Sequence, residues 1–479
     1  MQHCEGPNGP GRFRPLSRRD YLARTGLGFG LTALSAMLQD DAPAAASDDP
    51  LAPRVPHHSP KAKAVIFLFM SGGPSHLETF DPKPELQRLH GQKLPQSFGA
   101  IKTRRGVDKN ALLATRRTFR RYGAAGIEVS DFLPHLAGVA DDLCVLRGCW
   151  GDSVTHPESV YLMNTGSIRM GRGSAGSWVT YGLGSENRNM PAYVVLPDPG
   201  GNPKGGPPAW GSGFLPAAYQ GTTVRPGTTP ILNLNRPDGV TEEQQRRTLD
   251  LVRTLNAEHL KGREADSALS ARIAAYELAF RMQAHAPEVV DIRSEPQHIR
   301  ELYGIDRPEC GEFGLRCLLA RRMVERGVRF VQLYCGDTNG WDGHSDIEGN
   351  HSTHCARTDR PAAALLRDLK QRGLLDSTLV LWGGEFGRTP MTEGKTGRDH
   401  NPYGFTLWMA GGGVRPGTTY GGTDAVGLRA EQDRTHVHDI HATMLHLLGL
   451  NHEKLTYLHN GRAERLTDTA GRIVHEVLA

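Results

Sequence analysis

The sequence predicts an α/β protein whose central sheet is mostly parallel and flanked by helices. Short runs of continuous apolar residues, such as 64–70 and 378–382, are typical of strands buried on both faces of a sheet. Amphipathic segments separate these runs, as expected for parallel strands joined by crossover helices. Polar, glycine-rich stretches follow several of the strands, and this edge of an open α/β sheet carries the functional loops.

The same patterns place the elements in chain order. The predicted strands cover 64–70, 143–147, 328–334, 378–382 and 405–409. The predicted helices cover 131–140, a segment ending near 166, 241–286, 313–326, 361–371 and 438–449. Pro157 suits a first helical turn, and Gly373 and Gly449 suit helix ends. The Lys- and Arg-rich segment 90–125 is interpreted as a solvated loop, with an anion-attracting rim as the alternative, and 201–240 as an extended loop.

The N-terminus has the pattern of a twin-arginine export signal. Arg18 and Arg19 precede a weakly apolar run at 25–38, and three alanines at 44–46 offer a cleavage site before Ser47. The alternative is a chance arginine pair before a short helix. The pattern predicts recognition by the twin-arginine export machinery and therefore a periplasmic or extracellular location.

The charge balance does not favour nucleic acid as a partner, and the apolar content does not predict a transmembrane span. The formal net charge is +4, and removal of a leader with five arginines and four acidic residues changes it by one unit, which does not favour nucleic acid binding. The predicted mature chain contains no stretch of about 18 continuous apolar residues, so no transmembrane span is predicted there. Cys4 lies in the leader, and the other six cysteines, which include no CxxC pair, permit either disulfides or buried free thiols.

The stretch 378–400 holds the highest concentration of candidate site residues. A glycine pair ends its strand, and the turn delivers Glu385 and Arg388 at the carboxyl end. Asp399 and His400 follow in what is predicted to be a polar loop. Two carboxylates, a guanidinium and an imidazole beside strands indicate a site rather than core packing. Arg388 is suited to clamp an anionic oxygen, and the alternative is an ion pair with Glu385.

Two other polar loops hold candidate residues. Asp342 and His344 follow the strand at 328–334, where the alternative is an Asx-type turn with an exposed imidazole. Thr155 and His156 lead into a helix after the strand at 143–147. All of these loops are predicted to meet at the carboxyl edge of one sheet.

Several motifs resemble known families. Resemblance to the alkaline phosphatase/sulfatase superfamily is carried by LPHLAGVADDLCVLRGC, THPESVYLMNTG, RGLLDSTLVLWGGEFG and HVHDIHATMLHLLGL. A closer resemblance, to the bacterial domain of unknown function 1501 family, is carried by GGPSHLETFDPKP, GWDGH, GEFGRTP, GRDHNP, GGGVRPG and DIHATMLHLLG. Members of that family typically have a twin-arginine leader and are often labelled sulfatase-like. The chain is identified as a member over about 61–450.

This resemblance implies a metal-dependent hydrolase of sulfate or phosphate esters. Glu385 and His400 stand where the superfamily has a carboxylate and a histidine ligand, and Asp342 and His344 match its middle pair. Asp399 is placed to orient His400 or to share the metal. Such a mixed oxygen and nitrogen set favours zinc or manganese over calcium. The implied partner is an anionic ester substrate, with a sulfated polysaccharide as one candidate.

The chain also departs from the superfamily. Ser71 stands where the superfamily has an aspartate after the first strand, and Phe386 where phosphatases often have a second-metal ligand. The sulfatase Cys/Ser-x-Pro-x-Arg signature is absent, which excludes formylglycine chemistry there. His156 occupies the nucleophile position beside Thr155, so either a threonine nucleophile or a phosphohistidine remains open. The alternatives are a non-catalytic exported binding or scaffold protein on the same fold, and a metal-dependent mutase or transferase.

The predicted domain organisation follows from these observations. It consists of a signal peptide at 1–46, a linker at 47–60, the alkaline phosphatase/sulfatase-like domain at 61–450 and a C-terminal extension at 451–479.

Overall fold

The computed structural model describes residues 49–225, 239–260, 277–283, 287–337 and 339–479. The predicted export signal lies outside these residues. The strands are β1 Ala64–Met70, β2 Phe119–Tyr122, β3 Ile127–Ser130, β4 Leu143–Trp150, β5 Tyr193–Leu196, β6 Thr222–Thr223, β7 Phe330–Cys335, β8 Thr378–Gly383, β9 Gly387–Glu393, β10 Gly397–Asn401, β11 Phe405–Ala410, β12 Thr418–Tyr420, β13 Gly422–Thr423, β14 Ala430–Gln432, β15 Thr435–His436, β16 Tyr457–His459 and β17 Arg462–Glu464.

The helices complete the element list. They are α1 His76–Thr79, α2 Pro84–Arg88, α3 Pro134–Ala137, α4 His156–Thr165, α5 Ala175–Leu183, α6 Glu242–Leu260, α7 Gln297–Tyr303, α8 Gly311–Glu325, α9 Ile347–Gln371 and α10 Val437–Leu447. Within the described residues, none of the helices is both long enough and apolar enough to cross a membrane.

A nine-stranded sheet forms the centre of the molecule. Its order is β12-β4-β11-β8-β1-β7-β5-β6, and β15 also pairs with β4. β1 is parallel to both of its neighbours, β7 and β8, while β11 is antiparallel to β8 and β4. Since only β11 runs against the others, the predicted α/β class with a mostly parallel sheet is confirmed.

β1 shows why the sheet is buried on both faces. Ile66, Leu68 and Met70 belong to one apolar core and the alternate residues, such as Phe67, to the other. α8 and α9 cover the first face, while α4, α5 and α10 cover the second. All seven residues of β1 are buried, as its continuous apolar run predicts. The 3-10 turn His475–Val477 near the C-terminus packs Val477 into the second core.

Helix α9 begins earlier than the sequence predicts. It starts at Ile347 rather than 361 and contains Pro361 in its interior. Asp346 caps it by accepting a hydrogen bond from the backbone N–H of Gly349 at 3.2 Å. Its first half is polar yet partly buried, for example at His351, so the apolar periodicity used to predict helices is weak there.

The basic segment 90–125 is in part more ordered than predicted. It contributes β2, which pairs with β3 in an antiparallel hairpin. Some of its arginines are ion-paired with acidic residues elsewhere in the chain, as Arg105 is with Glu393 at 3.1 Å. Apart from β2 and two 3-10 turns, the segment is mostly exposed loop, as predicted.

The six cysteines among the described residues are all buried free thiols. Burial raises the pKa of the thiols of Cys144 and Cys335 to about 12. Of the two alternatives left open by the sequence, the structure has the free thiols.

Candidate metal centre

The carboxylate of Asp342 lies among three imidazoles at the carboxyl edge of the sheet. Its Oδ1 is 2.8 Å from Nε2 of His344 and 3.2 Å from Nε2 of His400. Its Oδ2 is 3.0 Å from Nε2 of His156. Ligand atoms of these four residues lie within 4.8 Å of one another. We call this group the His3Asp cluster.

Each of the three imidazoles has its other ring nitrogen bonded to an oxygen. Nδ1 of His156 donates to Oε1 of Glu385 at 2.7 Å, and Nδ1 of His344 donates to Glu393. Nδ1 of His400 donates to the carbonyl oxygen of Val154 at 2.7 Å. Because a carbonyl or ionised carboxylate oxygen only accepts, each Nδ1 carries the proton. The three Nε2 atoms therefore present lone pairs toward Asp342, which is how metal-binding histidines are oriented.

This arrangement of lone pairs is stable only when positive charge lies among them. Nε2 of His344 and Nε2 of His400 are only 3.1 Å apart, and a buried carboxylate oxygen faces both. These atoms repel one another unless a proton or a metal ion lies among them. Oε2 of Glu385 is buried without a hydrogen-bond partner, and Nε2 of His156 makes no well-directed bond. These unsatisfied groups fit a bound metal, and the N and O donor set suits zinc or manganese.

The ionisation of the His3Asp cluster follows from burial and close charges. Burial alone would raise the pKa of the Asp342 carboxyl, but the three imidazoles packed against it and the charge of Arg388 hold it well below its usual range. Burial, together with the charges of Arg388 and His156, lowers the pKa of His400 to about 3. Burial would lower the pKa of His156, but the carboxylates of Asp342 and Glu385 raise it overall. The two carboxylates therefore favour positive charge at this position, either as a proton on His156 or as a metal ion.

Neighbouring parallel strands bring these residues together. Asp342 and His344 lie in the loop after β7, and Glu385 follows β8. Between these strands, the turn after β1 packs so closely that a Cβ on Gly72 would lie 2.7 Å from the backbone nitrogen of Asp342. Gly72 has φ of 105°, a conformation that favours glycine, and its N–H donates to Oε1 of Glu385 at 2.9 Å. His156 begins α4, which follows β4.

His400 comes from a strand rather than the predicted polar loop. It lies on β10, which pairs antiparallel with β9 in a hairpin, and it is 4% exposed. Phe386 stacks on its imidazole with ring centroids 4.5 Å apart. This contact gives Phe386 a packing role beneath the His3Asp cluster.

Two positively charged side chains contact Asp342, one of them fully buried and the other partly exposed. Arg388 is fully buried, and its Nη2 donates to Oδ1 of Asp342 at 2.8 Å. Its other hydrogen bonds go to the carbonyl oxygens of Gly72, Gly73 and Arg398, so the guanidinium is engaged within the protein rather than with Glu385. Nζ of Lys204 lies 2.9 Å from Oδ2 of Asp342, and its side chain is 26% exposed.

Asp399 belongs to an adjacent acidic group rather than to the His3Asp cluster. It could share a metal with His344 and Glu393, whose ligand atoms lie within 4.8 Å of its own. Its Oδ1 accepts from the N–H of His400 at 2.8 Å and its Oδ2 from the N–H of Arg105 at 2.7 Å. Asp399 is therefore placed to hold the His400 backbone.

Thr155 lies next to the His3Asp cluster at the N-cap of α4. Its hydroxyl donates to Oε2 of Glu158 at 2.8 Å, and Ser153 donates to the same oxygen. The pKa of Glu158 is lowered by these hydrogen bonds. The hydroxyl of Thr155 is thus paired with an ionised carboxylate.

The structure brings five of the sequence-predicted residues together. Asp342, His344 and His400 come together with His156, which the sequence indicated as a nucleophile rather than a ligand. Glu385 joins them through His156. The sequence analysis missed Lys204, because its glycine- and proline-rich loop has no periodicity. It also missed Glu393, although an acid five residues past Arg388 in the same polar stretch was an available signal.

Comparison with known proteins agrees with the predicted family. Residues 62–478 match the family model described as "Protein of unknown function (DUF1501)". No curated protein matches the chain.

Solved structures with a similar chain trace include three enzymes. A sulfatase from Pseudoalteromonas sp. is 12% identical with a TM-score of 0.33, and the match covers 81% of this chain and 68% of that chain. A phosphonate monoester hydrolase from Silicibacter pomeroyi is 13% identical with a TM-score of 0.29, covering 66% and 68%. The lipoteichoic acid synthase of Listeria monocytogenes is 10% identical with a TM-score of 0.30, covering 84% and 77%.

Proposed function

This chain belongs to the DUF1501 family, and we propose that it is an exported metal-dependent hydrolase of sulfate or phosphate esters. The observation that carries the proposal is the convergence of three Nε2 lone pairs on Asp342, with every Nδ1 tied to an oxygen. His156, His344, His400 and Asp342 would hold zinc or manganese, with Glu385 and Asp399 orienting ligands or contributing an oxygen. A divalent metal there would neutralise anionic ester oxygens and activate an attacking hydroxyl.

The chain's own residues supply the remaining functions. Lys204 is partly exposed beside Asp342 and would attract the anionic group of an ester. We assign the nucleophile to Thr155 rather than His156, since both nitrogens of His156 already face carboxylates. Glu158 would accept the hydroxyl proton of Thr155 as the oxygen attacks phosphorus or sulfur. The bond from phosphorus or sulfur to the ester oxygen would break as the alcohol leaves with the proton held by Glu158. Water would then attack the Thr155 ester, which releases phosphate or sulfate and returns a proton to the Thr155 oxygen.

Metal analysis and ester cleavage test this proposal on the purified mature protein. We expect about one zinc or manganese per chain and turnover of an aryl sulfate or aryl phosphate. His400→Ala should lose the metal and activity together, because losing a ligand should weaken binding beyond the roughly 10–100-fold typical of outer-shell partners. Thr155→Ala should retain the metal and lose turnover. His298→Ala, at an exposed histidine, is the matched control.

The alternative is an exported binding or scaffold protein. One observation favours it: the Thr155–Glu158 pair sits at the start of α4, where the two residues are spaced as in a helix capping box. A wild-type protein that holds metal but cleaves neither kind of ester, with Thr155→Ala affecting only thermal stability, would favour this alternative.

Export by the twin-arginine route is part of the proposal. It rests on Arg18 and Arg19, the apolar run and the small-residue site in the sequence. Replacing both arginines with lysine should leave uncleaved precursor in the cytoplasm. Processing of the double variant at the wild-type rate would contradict this route.

A further inference from the structure

An open cavity of about 370 Å³ lies beside the metal centre, and its lining residues are distinct from the His3Asp cluster. It lies past the carboxyl ends of β5 and β7, one strand along from the β1 turn. Asp198 and Gly200 contribute from the loop after β5, and Asp337 and Asn339 from the loop after β7. Its volume is within the range of small-molecule sites.

Two chain segments connect the cavity to the metal centre. Gly340 lines the cavity, and Asp342 of the His3Asp cluster follows two residues later. Since consecutive Cα atoms are about 3.8 Å apart, these two Cα atoms lie within about 8 Å. Gly200 also lines the cavity, and Lys204, four residues on, contacts Asp342. The cavity and the metal centre therefore lie within the length of one small ligand of each other.

Ion pairs fix the side of the cavity formed by α8 and α9. Nη2 of Arg357 lies 2.8 Å from Oδ2 of Asp198 and 2.7 Å from Oε2 of Glu312. Arg316, fully buried, lies behind them, 2.6 Å from Glu312 and 3.4 Å from Asp198. These contacts hold the polar groups in place before any ligand binds, which lowers the entropic cost of binding.

A turn and an aromatic stack hold further lining residues of the cavity. Oδ1 of Asp337 accepts from the N–H groups of Asn339 and Gly340, at 2.8 Å each. The imidazole of His354 stacks on Trp341 with ring centroids 5.2 Å apart, and its Nδ1 is buried without a hydrogen-bond partner. Burial, followed by the charge of Arg357, lowers the pKa of His354, so this imidazole is neutral near pH 7.

The charge of the cavity determines what it can bind. The lining holds three carboxylates, of Asp198, Glu312 and Asp337, against the guanidinium of Arg357, with the buried guanidinium of Arg316 behind it, which leaves an excess of negative charge. An anionic group is disfavoured here and favoured at Lys204. A ligand with many hydroxyl groups suits the lining, because hydroxyls both donate to carboxylates and accept from guanidinium, amide and imidazole N–H groups.

We infer that this cavity is a subsite for the neutral, hydroxyl-rich part of the substrate, a saccharide or polyol whose esterified anionic group lies at Lys204 and the His3Asp cluster. The inference rests on the proposed hydrolase function for the anionic end alone. The inference that the cavity binds hydroxyl groups depends only on the residues that line the cavity.

Binding of neutral sugars to the metal-loaded mature protein tests the inference. D-galactose, D-glucose, L-fucose and N-acetyl-D-glucosamine are titrated by calorimetry and saturation-transfer NMR, with choline and inorganic sulfate as cationic and anionic probes. We expect saturable binding of at least one sugar. Asp337→Asn and Asn339→Ala should each weaken it about tenfold, the loss of one hydrogen bond to a charged or polar group.

Both variants are chosen to preserve the fold. Asn339 is exposed, and Asp337→Asn keeps the oxygen that accepts the two N–H groups, so metal content and the thermal transition should match the wild type. His298→Ala, far along the chain on α7, is the control for sugar binding. Binding of choline or sulfate in place of sugars at this cavity, or sugar binding that both variants leave intact, would overturn the inference.

The outcome separates this inference from the hydrolase proposal. A protein that binds sugar through Asp337 and Asn339 but cleaves no ester would overturn the hydrolase and sustain the subsite. A protein that cleaves aryl esters and binds none of the sugars would overturn the subsite alone.

Discussion

At the scale of single residues, Arg388 directs its guanidinium entirely into the protein. It is fully buried and donates to three carbonyl oxygens as well as to Asp342. Arg388→Lys keeps the charge but not the planar set of donors, so we expect a loss of about 2–4 kcal/mol in the free energy of unfolding, measured in urea. Arg293→Lys, at an 88% exposed side chain, should change stability little. A variant of normal stability with a raised KM for the ester would instead make Arg388 a substrate clamp.

His441 makes stability depend on pH through a group outside the metal centre. Burial, followed by the charges of His438 and His436, lowers its pKa from 6.5 to about 3, and its Nε2 donates to the carbonyl oxygen of Met163 at 2.8 Å. The unfolded chain therefore takes up this proton first as the pH falls. The stabilisation is present above pH 6.5 and is lost toward pH 3, at up to about 1.4 kcal/mol per unit. His441→Gln should flatten the slope of unfolding free energy against pH, whereas the exposed His298→Gln should not.

The sequence predicts a site residue well when that residue lies in the loop that follows a recognisable strand. Asp342 and His344 lie in the loop that follows β7, so the strand pattern in the sequence was enough to predict the edge of the sheet where they lie. Lys204 contacts Asp342 across 138 positions, from a loop whose path depends on tertiary packing. The ligand arrangement of His156 depends in the same way on Glu385, 229 positions away. Such partners have no local signature in a single sequence.

At the scale of elements, the β9–β10 hairpin positions His344 as well as His400. A Cβ on Gly397 would lie 1.7 Å from the carbonyl oxygen of His344. Gly397→Ala must therefore push the hairpin and His344 apart, and we expect metal affinity, measured by chelator competition, to fall at least about tenfold, as for lost outer-shell support. Gly394→Ala, in the same hairpin, meets open space but has φ of 60°, so it should cost about 1 kcal/mol of stability and leave metal affinity unchanged. Equal affinities for the two variants would contradict this role of the hairpin.

Element boundaries were predicted well only where burial is periodic. β1 and β8 match their apolar runs because both of their faces are covered. β10 was predicted as a loop because its residues, GRDHN, are polar, yet all five are buried by contacts among charged and backbone groups. A buried polar strand at a functional site has the composition of a loop, and hydrophobic patterning does not identify it.

At the scale of the whole molecule, the His3Asp cluster and the residues around it link loops after four strands that are distant in sequence. Asp342 follows β7, His156 follows β4, Glu385 follows β8, and the β1 turn packs between them. A metal that binds only the folded chain stabilises it by about 2.7 kcal/mol at a concentration of 100 times its Kd. We therefore expect a chelator such as EDTA to lower the Tm of the wild type and restored zinc or manganese to raise it again.

The His400→Ala variant decides whether that shift comes from the His3Asp cluster. Without Nε2 of His400 the remaining ligands should hold the metal weakly, so its Tm should be the same with and without chelator. His298→Ala should keep the wild-type shift, because its side chain is exposed. If His400→Ala keeps the full metal-dependent shift, the stabilising ion is bound elsewhere. That result would leave the three converging imidazoles as a proton-linked network within the fold, since a proton shared with Asp342 also relieves the repulsion between their lone pairs.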